Sequence, residues 1–215
     1  MRKGIIFDMD GTLWDSAPQV AESWNQVIKE KYPDIDVYIT TEDMYRVMGK
    51  TMDVLGKIIF PDVEDARREK LLLDCYKYEN EYLSIHGGKL YPDLEKVWQE
   101  LEKNYDIYIV SNCQTGYIEA FLDFFGFRRY IRDMECYGNT GKNKGENIRM
   151  VVERNQIEDP IYVGDIQGDY DSSREAGVKF IHAAYGFGTI DEEVPAIRAL
   201  SELPKIADQM TAKND

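Results

Sequence analysis

The chain has 215 residues, 43% of them hydrophobic and 31% charged, and a formal net charge of −14. That length buries a good core, as one domain with an insertion or as two modest ones, and the composition is that of a globular protein. The acidic balance repels nucleic acid and anionic lipid at long range, so neither is expected as a partner, and an anionic substrate has to be met by a local cation.

No stretch approaches the roughly 18 consecutive apolar residues that a membrane span needs. Met1-Arg2-Lys3 leads straight into a strand pattern rather than a signal peptide, so a cytoplasmic protein is expected. Cys75, Cys113 and Cys136 are widely spaced and form no CxxC pair, which argues for reduced structural thiols over a disulfide framework or a zinc site.

In chain order, Gly4-Ile5-Ile6-Phe7 reads as a buried strand that ends abruptly in Asp8-Met9-Asp10-Gly11-Thr12-Leu13. From Ser16 to Lys31 the period turns helical, with Val20, Trp24, Val27 and Ile28 on one face and Ser16 as N-cap ahead of Pro18. Tyr32-Pro33-Asp34 stops this helix. Thr40 or Thr41 caps a second helix through Val47, and Met48-Gly49-Lys50 interrupts. A third short helix ends near Phe60-Pro61, and a fourth runs from about Val63 to Leu83 with Leu72, Cys75, Tyr82 and Leu83 inward. His86-Gly87-Gly88 breaks the pattern, so residues 16–85 read as a small helical unit inserted after the first strand.

Beyond Gly88 helices and strands alternate. A helix over 93–104 precedes the apolar strand Ile107-Tyr108-Ile109-Val110, which ends in Ser111-Asn112. A helix over 115–125 stops at Gly126, a weaker strand lies near 133–137, and Gly141-Lys142-Asn143-Lys144-Gly145 precedes a helix carrying Ile148, Val151 and Val152. The strand Pro160-Ile161-Tyr162-Val163-Gly164 ends at Asp165; a short helix to Ala176 and a strand over 178–182 follow. The last 25 residues carry no motif and read as a terminal helix and strap. Such alternation predicts a parallel sheet with right-handed crossovers.

Three strands therefore end in residues able to do chemistry: Asp8 with Asp10, Ser111 with Asn112, and Asp165 with Asp169 close behind. Parallel strands put those ends on one edge of the sheet, where open α/β folds bind ligands. Asp8 and Asp10, two apart on a strand, point to the same side and need a cation or a proton between them; a divalent metal is the natural candidate. Gly11 lets the backbone turn and Thr12 offers a hydroxyl. Alone, this first run is equally an ordinary strand followed by an Asx-Gly turn.

Taken together, Asp8-Met9-Asp10-Gly11-Thr12-Leu13, then Ser111-Asn112, then a lysine ahead of a helix, then Gly164-Asp165-Ile166-Gln167-Gly168-Asp169, resemble the haloacid dehalogenase superfamily in sequence and order. Trp14-Asp15-Ser16 and the helical insertion resemble its phosphoglycolate-phosphatase-like subgroup, with a helical cap between the first and second motifs. The resemblance implies an α/β fold: a Rossmann-like parallel-sheet core flanked by helices, from residues 1–15 and 86–215, with residues 16–85 as an inserted cap domain. Hinges are expected near Asp15-Ser16 and His86-Gly88.

It also implies an enzyme. Asp8 would be the nucleophile that forms an aspartyl-phosphate, and Asp10 the general acid and then general base. Thr12, Ser111, Asn112 and Lys144 would surround the phosphoryl group; of the two loop lysines, Lys144 rather than Lys142 matches the family position immediately before a helix. Mg²⁺ would be held by Asp165, an Asp8 oxygen and the Asp10 carbonyl, with Asp169 supporting the metal shell or orienting the lysine. Dehalogenases and ion-pumping ATPases of the superfamily lack an aspartate at the position of Asp10. The implied reaction is therefore hydrolysis of a small phosphate ester by a phosphatase, or transfer to a sugar hydroxyl by a phosphomutase. A regulatory or binding protein on the same core is the reading from another class, although no catalytic residue is missing. Oligomeric state stays open, with a monomer compatible.

Arg46, Met48, Gly49 and Lys50 sit where relatives place a specificity loop, and equally read as helix-end residues. Tyr76, Tyr78 and Tyr82 read as a packed, partly exposed helix face, and His86 and His182 are isolated.

Overall fold

The structure, a computed structural model, describes residues 3–211. In chain order its elements are β1 (Lys3–Phe7), β2 (Trp14–Asp15), α1 (Ala17–Lys31), α2 (Thr41–Val47), α3 (Met52–Ile59), α4 (Asp65–His86), β3 (Lys89–Leu90), α5 (Leu94–Leu101) and β4 (Tyr105–Ser111). There follow α6 (Tyr117–Phe125), β5 (Ile131–Cys136), α7 (Tyr137–Thr140), α8 (Lys144–Asn155), β6 (Glu158–Gly164), α9 (Gln167–Ala176), β7 (Lys179–Ala183), β8 (Ala196–Ile197) and α10 (Leu203–Thr211).

Six strands form one sheet in the order β5-β4-β1-β6-β7-β8, with every neighbouring pair parallel. This is the parallel α/β sheet that the alternating pattern predicts, in the Rossmann-like architecture that the resemblance implies. The chain winds outward from β1 through β4 and β5, then crosses to the other side through β6 and β7, so the order reverses beside β1. In such sheets the crevice at the carboxyl ends next to the reversal is the ligand address.

The pleat divides the strand residues between two cores. Ile5, Phe7, Ile107, Ile109, Ile161, Val163 and Ile181 join a core shared with α5, α6, α10 and the helical segment. Ile6, Tyr108, Val110, Tyr162 and Phe180 face the other way, against Ile148 and Val151 of α8. A strand covered on both faces must be apolar at successive positions, which is why Ile5-Ile6-Phe7 is an unbroken apolar run rather than an alternating one.

The helical segment enters and leaves through a two-stranded antiparallel ribbon, Trp14 opposite Leu90 and Asp15 opposite Lys89. Within the segment α1 packs along α4, and Trp24 stacks on Phe60 with ring centroids 6.1 Å apart. Thr40 is the cap of α2: Asp43 N donates to Thr40 Oγ1 at 3.1 Å while Asp43 Oδ2 accepts from Thr40 N at 2.9 Å, a reciprocal capping box. Among the described residues no helix is long and apolar enough to cross a membrane.

Four details differ from the sequence reading. Tyr82 is not inward; it is half-buried and stacks on His86 with centroids 4.2 Å apart, because α4 turns its Leu72, Cys75 and Leu83 stripe to the core and leaves position 82 beside it. Helix α5 stops at Leu101, since residues 102–104 tighten into turns that feed β4 directly. The edge strand β8 is only two residues long and offers no periodicity to read. Ser16 is the N-cap residue of α1, as expected, but its side chain makes no cap bond; Asp15 Oδ1 accepts from Ala17 N at 3.1 Å instead.

Candidate active site

Register puts the predicted chemistry together. Phe7 lies opposite Ile109 on β4 and Val163 on β6, so Asp8, Ser111 and Asp165 leave the sheet along one edge. Asp8 N donates to Val163 O at 2.9 Å, holding the strand end in line. The loop after Asp10 then passes close to Asp165. At Gly11 the backbone has φ +81°, and a Cβ there would lie 2.0 Å from Asp165 Oδ2, so only glycine allows this approach.

Asp8, Asp165 and Asp169 each present a carboxylate oxygen within 4.8 Å of the others, and all three are buried. Lys144 Nζ donates to Asp8 Oδ1 at 2.9 Å and to Asp169 Oδ1 at 2.6 Å. Asp169 Oδ2 accepts from the backbone N–H groups of Asp165 at 2.9 Å and Ile166 at 3.1 Å, so this residue divides its oxygens between the lysine and the start of α9. Asp165 Oδ2 accepts from Phe187 N at 2.7 Å, and Thr12 Oγ1 stands 3.5 Å from Asp165 Oδ1. The Thr12 hydroxyl is thus turned to the acidic cluster.

One ammonium facing three buried carboxylates leaves the cluster short of positive charge. Burial, reinforced by the neighbouring Asp169, pushes the Asp8 carboxyl up to about 7 even though Lys144 pulls it down. Burial, with Asp169 and Asp8 as like-charged neighbours, raises Asp165 well above the carboxylate range. For Lys144, burial opposes the charge, but the carboxylates of Asp169 and Asp8 outweigh it and hold the ammonium above its ordinary value. An all-oxygen donor set with excess negative charge fits a hard divalent cation such as Mg²⁺, which binds through one or two carboxylates and keeps room for water and substrate oxygen.

Asp10 stands apart from the cluster. Its Oδ1 accepts from Ser16 Oγ and from Tyr117 Oη, each at 2.7 Å, and those two hydroxyls are themselves 2.7 Å apart. Burial raises the Asp10 carboxyl, while the bonds from Tyr117 and Ser16 work against that rise. The buried Ser16 hydroxyl thus donates to a carboxylate instead of accepting from the helix's own N–H groups.

A cavity of about 50 Å³ lies between the sheet edge and the helical segment. Asp8, Asp10, Ser111 and Asn112 wall it on one side; Trp24, Met44, Met48, Gly49, Lys50 and Glu79 wall it on the other. Asn112 Nδ2 donates to Gly49 O at 2.9 Å, while its Oδ1 is buried with no partner among the described residues. Gly49 has φ +82°, and a Cβ there would lie 2.4 Å from Ile166 Cδ1, so the loop of residues 48–50 is seated directly on the core. Arg46 is exposed and paired with Asp43, away from the cavity. Of the two loop lysines, Lys144 is buried in the cluster and Lys142 is exposed. The Asn143–Glu146 capping box fixes this difference by starting α8 at Lys144.

Three polar residues of the site were given no role in it by the sequence. Tyr117 and Ser16 orient Asp10, and Glu79 of α4 reaches the cavity wall with 4% exposure. Glu79 Oε2 accepts from Trp24 Nε1 at 2.5 Å and Oε1 from Gln114 Nε2 at 2.9 Å; burial lifts it to about 7 while those bonds restrain the rise. A sequence signal for Glu79 exists: Leu72, Cys75, Glu79 and Leu83 form one helical stripe, and a glutamate within a buried stripe asks for a partner. His182, isolated in sequence, has Nε2 3.2 Å from the backbone oxygen of Asp165.

The chain matches the family model described as haloacid dehalogenase-like hydrolase over residues 5–183. It is 26% identical over 212 residues to the phosphoglycolate phosphatase of Aquifex aeolicus, spanning 95% of this chain and 96% of that one. It is 25% identical over 199 residues to the N-acetylmuramic acid 6-phosphate phosphatase of Pseudomonas aeruginosa, spanning 86% and 83%. Among solved structures, a haloacid dehalogenase-like family hydrolase from Streptococcus pneumoniae superposes with a TM-score of 0.79 at 18% identity over 95% of this chain and 98% of that chain. CbbY from Rhodobacter sphaeroides, in complex with xylulose 1,5-bisphosphate, superposes with a TM-score of 0.77 at 13% identity over 94% and 96%.

Proposed function

This chain is an enzyme that belongs to the haloacid dehalogenase-like hydrolases, and we propose that it hydrolyses a small phosphate monoester, with Mg²⁺, through an aspartyl-phosphate on Asp8. The observation that carries the reading is the buried meeting of Lys144 with Asp8 and Asp169 beside Asp165. A carboxylate brought within about 4 Å of a phosphate dianion meets a repulsion of about 8 kcal/mol at an effective dielectric of about 20. A nucleophilic Asp8 therefore needs positive charge already in place.

Lys144 supplies part of it, and Ser111 and Asn112 stand at the neighbouring strand end to hold phosphoryl oxygens. Asp8, Asp165 and the Asp10 carbonyl would hold Mg²⁺, whose charge would offset the negative charge that gathers on the phosphoryl group. Asp169 keeps Lys144 aimed, and Thr12 and the backbone of Phe187 fix Asp165.

Asp8 attacks phosphorus as the ester P–O bond breaks, and the departing alkoxide takes its proton from Asp10. Burial favours the neutral form that can give this proton. Asp10, now a carboxylate, takes a proton from the water that attacks the acyl phosphate, releasing inorganic phosphate and restoring Asp8. Ser16 and Tyr117 hold Asp10 in position for both steps.

In this reading residues 1–15 and 86–215 are the catalytic core and residues 16–85 a cap. Opening about the ribbon of β2 and β3 admits substrate, and closure excludes water. A cytoplasmic location accords with three cysteines that are buried and free.

The test is release of p-nitrophenol from p-nitrophenyl phosphate with Mg²⁺, in the wild type and in Asp8→Asn. Wild-type turnover that Asp8→Asn abolishes is expected; release that is absent, or indifferent to Asp8, overturns the proposal.

A further inference from the structure

We propose that Glu79 is a specificity-determining residue, selecting phosphate esters whose leaving group presents uncharged hydroxyls and disfavouring esters whose leaving group carries a carboxylate. The inference rests on the phosphatase reading above and narrows its substrate class.

Glu79 comes from α4, outside every family motif, yet shares a cavity wall with Asp8 and Asp10. Its carboxylate is pinned on both oxygens, by Trp24 from α1 and Gln114 from the loop after β4. The same Gln114 amide donates to Asn80 Oδ1 at 3.0 Å, and Asn80 Nδ2 donates to Thr115 O at 2.8 Å, so α4 is fastened to that loop beside Glu79. A carboxylate has about four lone-pair sites, and two accepted bonds leave acceptor capacity for a donor entering the cavity.

The surroundings decide what that donor is. Val20, Trp24, Met44, Met48, Met52 and Leu55 supply the apolar lining around it. Among the lining residues Lys50 alone is cationic, and it is solvent-exposed whereas Glu79 is buried. A leaving group that extends from Asp8 past Asp10 thus meets a buried carboxylate. Hydroxyls satisfy the unused acceptor sites, whereas a carboxylate would face a like charge in a water-poor space. A site built to accept hydrogen bonds discriminates strongly between ligands that donate them and ligands that do not.

A glutamate that merely braced Trp24 and Gln114 would, on removal, weaken turnover of every substrate alike. The ratio of kcat/KM values between substrate classes separates the two roles. The experiment uses the full chain with Mg²⁺ at pH 8, above the value of about 7 to which burial lifts Glu79, so that the residue is ionised. Glycerol 3-phosphate and ribose 5-phosphate represent hydroxyl-bearing esters, and 2-phosphoglycolate and 3-phosphoglycerate the carboxylated ones; p-nitrophenyl phosphate is the common reference.

The wild type is expected to favour the hydroxyl-bearing esters by about tenfold or more, and Glu79→Gln to shrink that preference by about tenfold. A wild type without this preference, or a folded Glu79→Gln with an unchanged ratio, overturns the inference. Should Glu79→Gln fail to fold, the wild-type ranking decides alone. Failure to hydrolyse any ester in an Asp8-dependent way overturns the phosphatase reading and this inference with it, whereas hydrolysis that ranks carboxylated esters first overturns this inference only.

Discussion

Lys144 Nζ lies 2.9 Å from Asp8 Oδ1, although 136 residues separate the two along the chain. Replacing the lysine by methionine keeps the bulk but strands Asp8 and Asp169 without their ammonium. Breaking a buried pair in this way costs about 3–5 kcal/mol. Lys144→Met is therefore expected to unfold at lower urea concentration at neutral pH, with the deficit narrowing as acid protonates the stranded carboxylates. Its kcat/KM is expected to fall by about a hundredfold or more. Urea titrations at two pH values and an assay check both halves.

The shortage of positive charge around Asp8, Asp165 and Asp169 also predicts metal-linked stability. Mg²⁺ that binds the folded chain alone stabilises it by about 2.7 kcal/mol at a hundredfold excess over Kd. Thermal melts with Mg²⁺ and with a chelator should therefore separate for the wild type and nearly coincide for Asp165→Asn. Coincident wild-type melts would count against a resident cation.

Tyr117→Phe removes one of the two hydroxyls on Asp10 Oδ1 while keeping the ring that packs edge-on against Trp14 at 5.6 Å. Since that hydroxyl lowers the Asp10 carboxyl against the effect of burial, its loss moves the carboxyl further up. The pH–rate limb belonging to Asp10 is expected to shift to higher pH, and kcat to drop by about tenfold through poorer aim. A tyrosine needed only for packing would leave the limb in place.

Glu79 should reveal itself in stability as well. Its carboxyl is raised to about 7 from an ordinary 4.5, first by burial, with Asp10 adding repulsion and Trp24 and Gln114 opposing. The folded chain then holds this proton more tightly than the unfolded chain. The resulting stabilisation is complete below the unfolded value and is lost as pH rises through the folded one. Glu79→Gln is insensitive to that loss, so its stability relative to wild type should rise between about pH 4.5 and pH 7, by up to about 3 kcal/mol. Asp8, Asp10 and Asp165 titrate in both proteins, and the difference between the two denaturation series isolates residue 79. A buried carboxylate kept at such a cost fits a site that trades stability for function.

The amino-acid sequence by itself determined the parallel α/β core, the four-helix segment between β1 and β4, and the appearance of Asp8, Ser111 and Asp165 at strand ends. Those features rest on signals a few residues long: apolar runs, helical stripes and breakers such as Gly126. The choice of Lys144 over Lys142 came with the family resemblance, and the structure adds its local reason, the Asn143–Glu146 capping box that begins α8 at Lys144. Only the tertiary structure decided that Ser16 and Tyr117, 101 residues apart, converge on Asp10, that Glu79 faces the same cavity as Asp8, and that a two-residue strand closes the edge of the sheet. Local periodicity states which face of an element is buried. Which polar partner waits on that face depends on how the chain turns and how distant elements pack: the Ser16 hydroxyl, which could cap its own helix, goes instead to Asp10 six residues back, where Tyr117 arrives from across the fold.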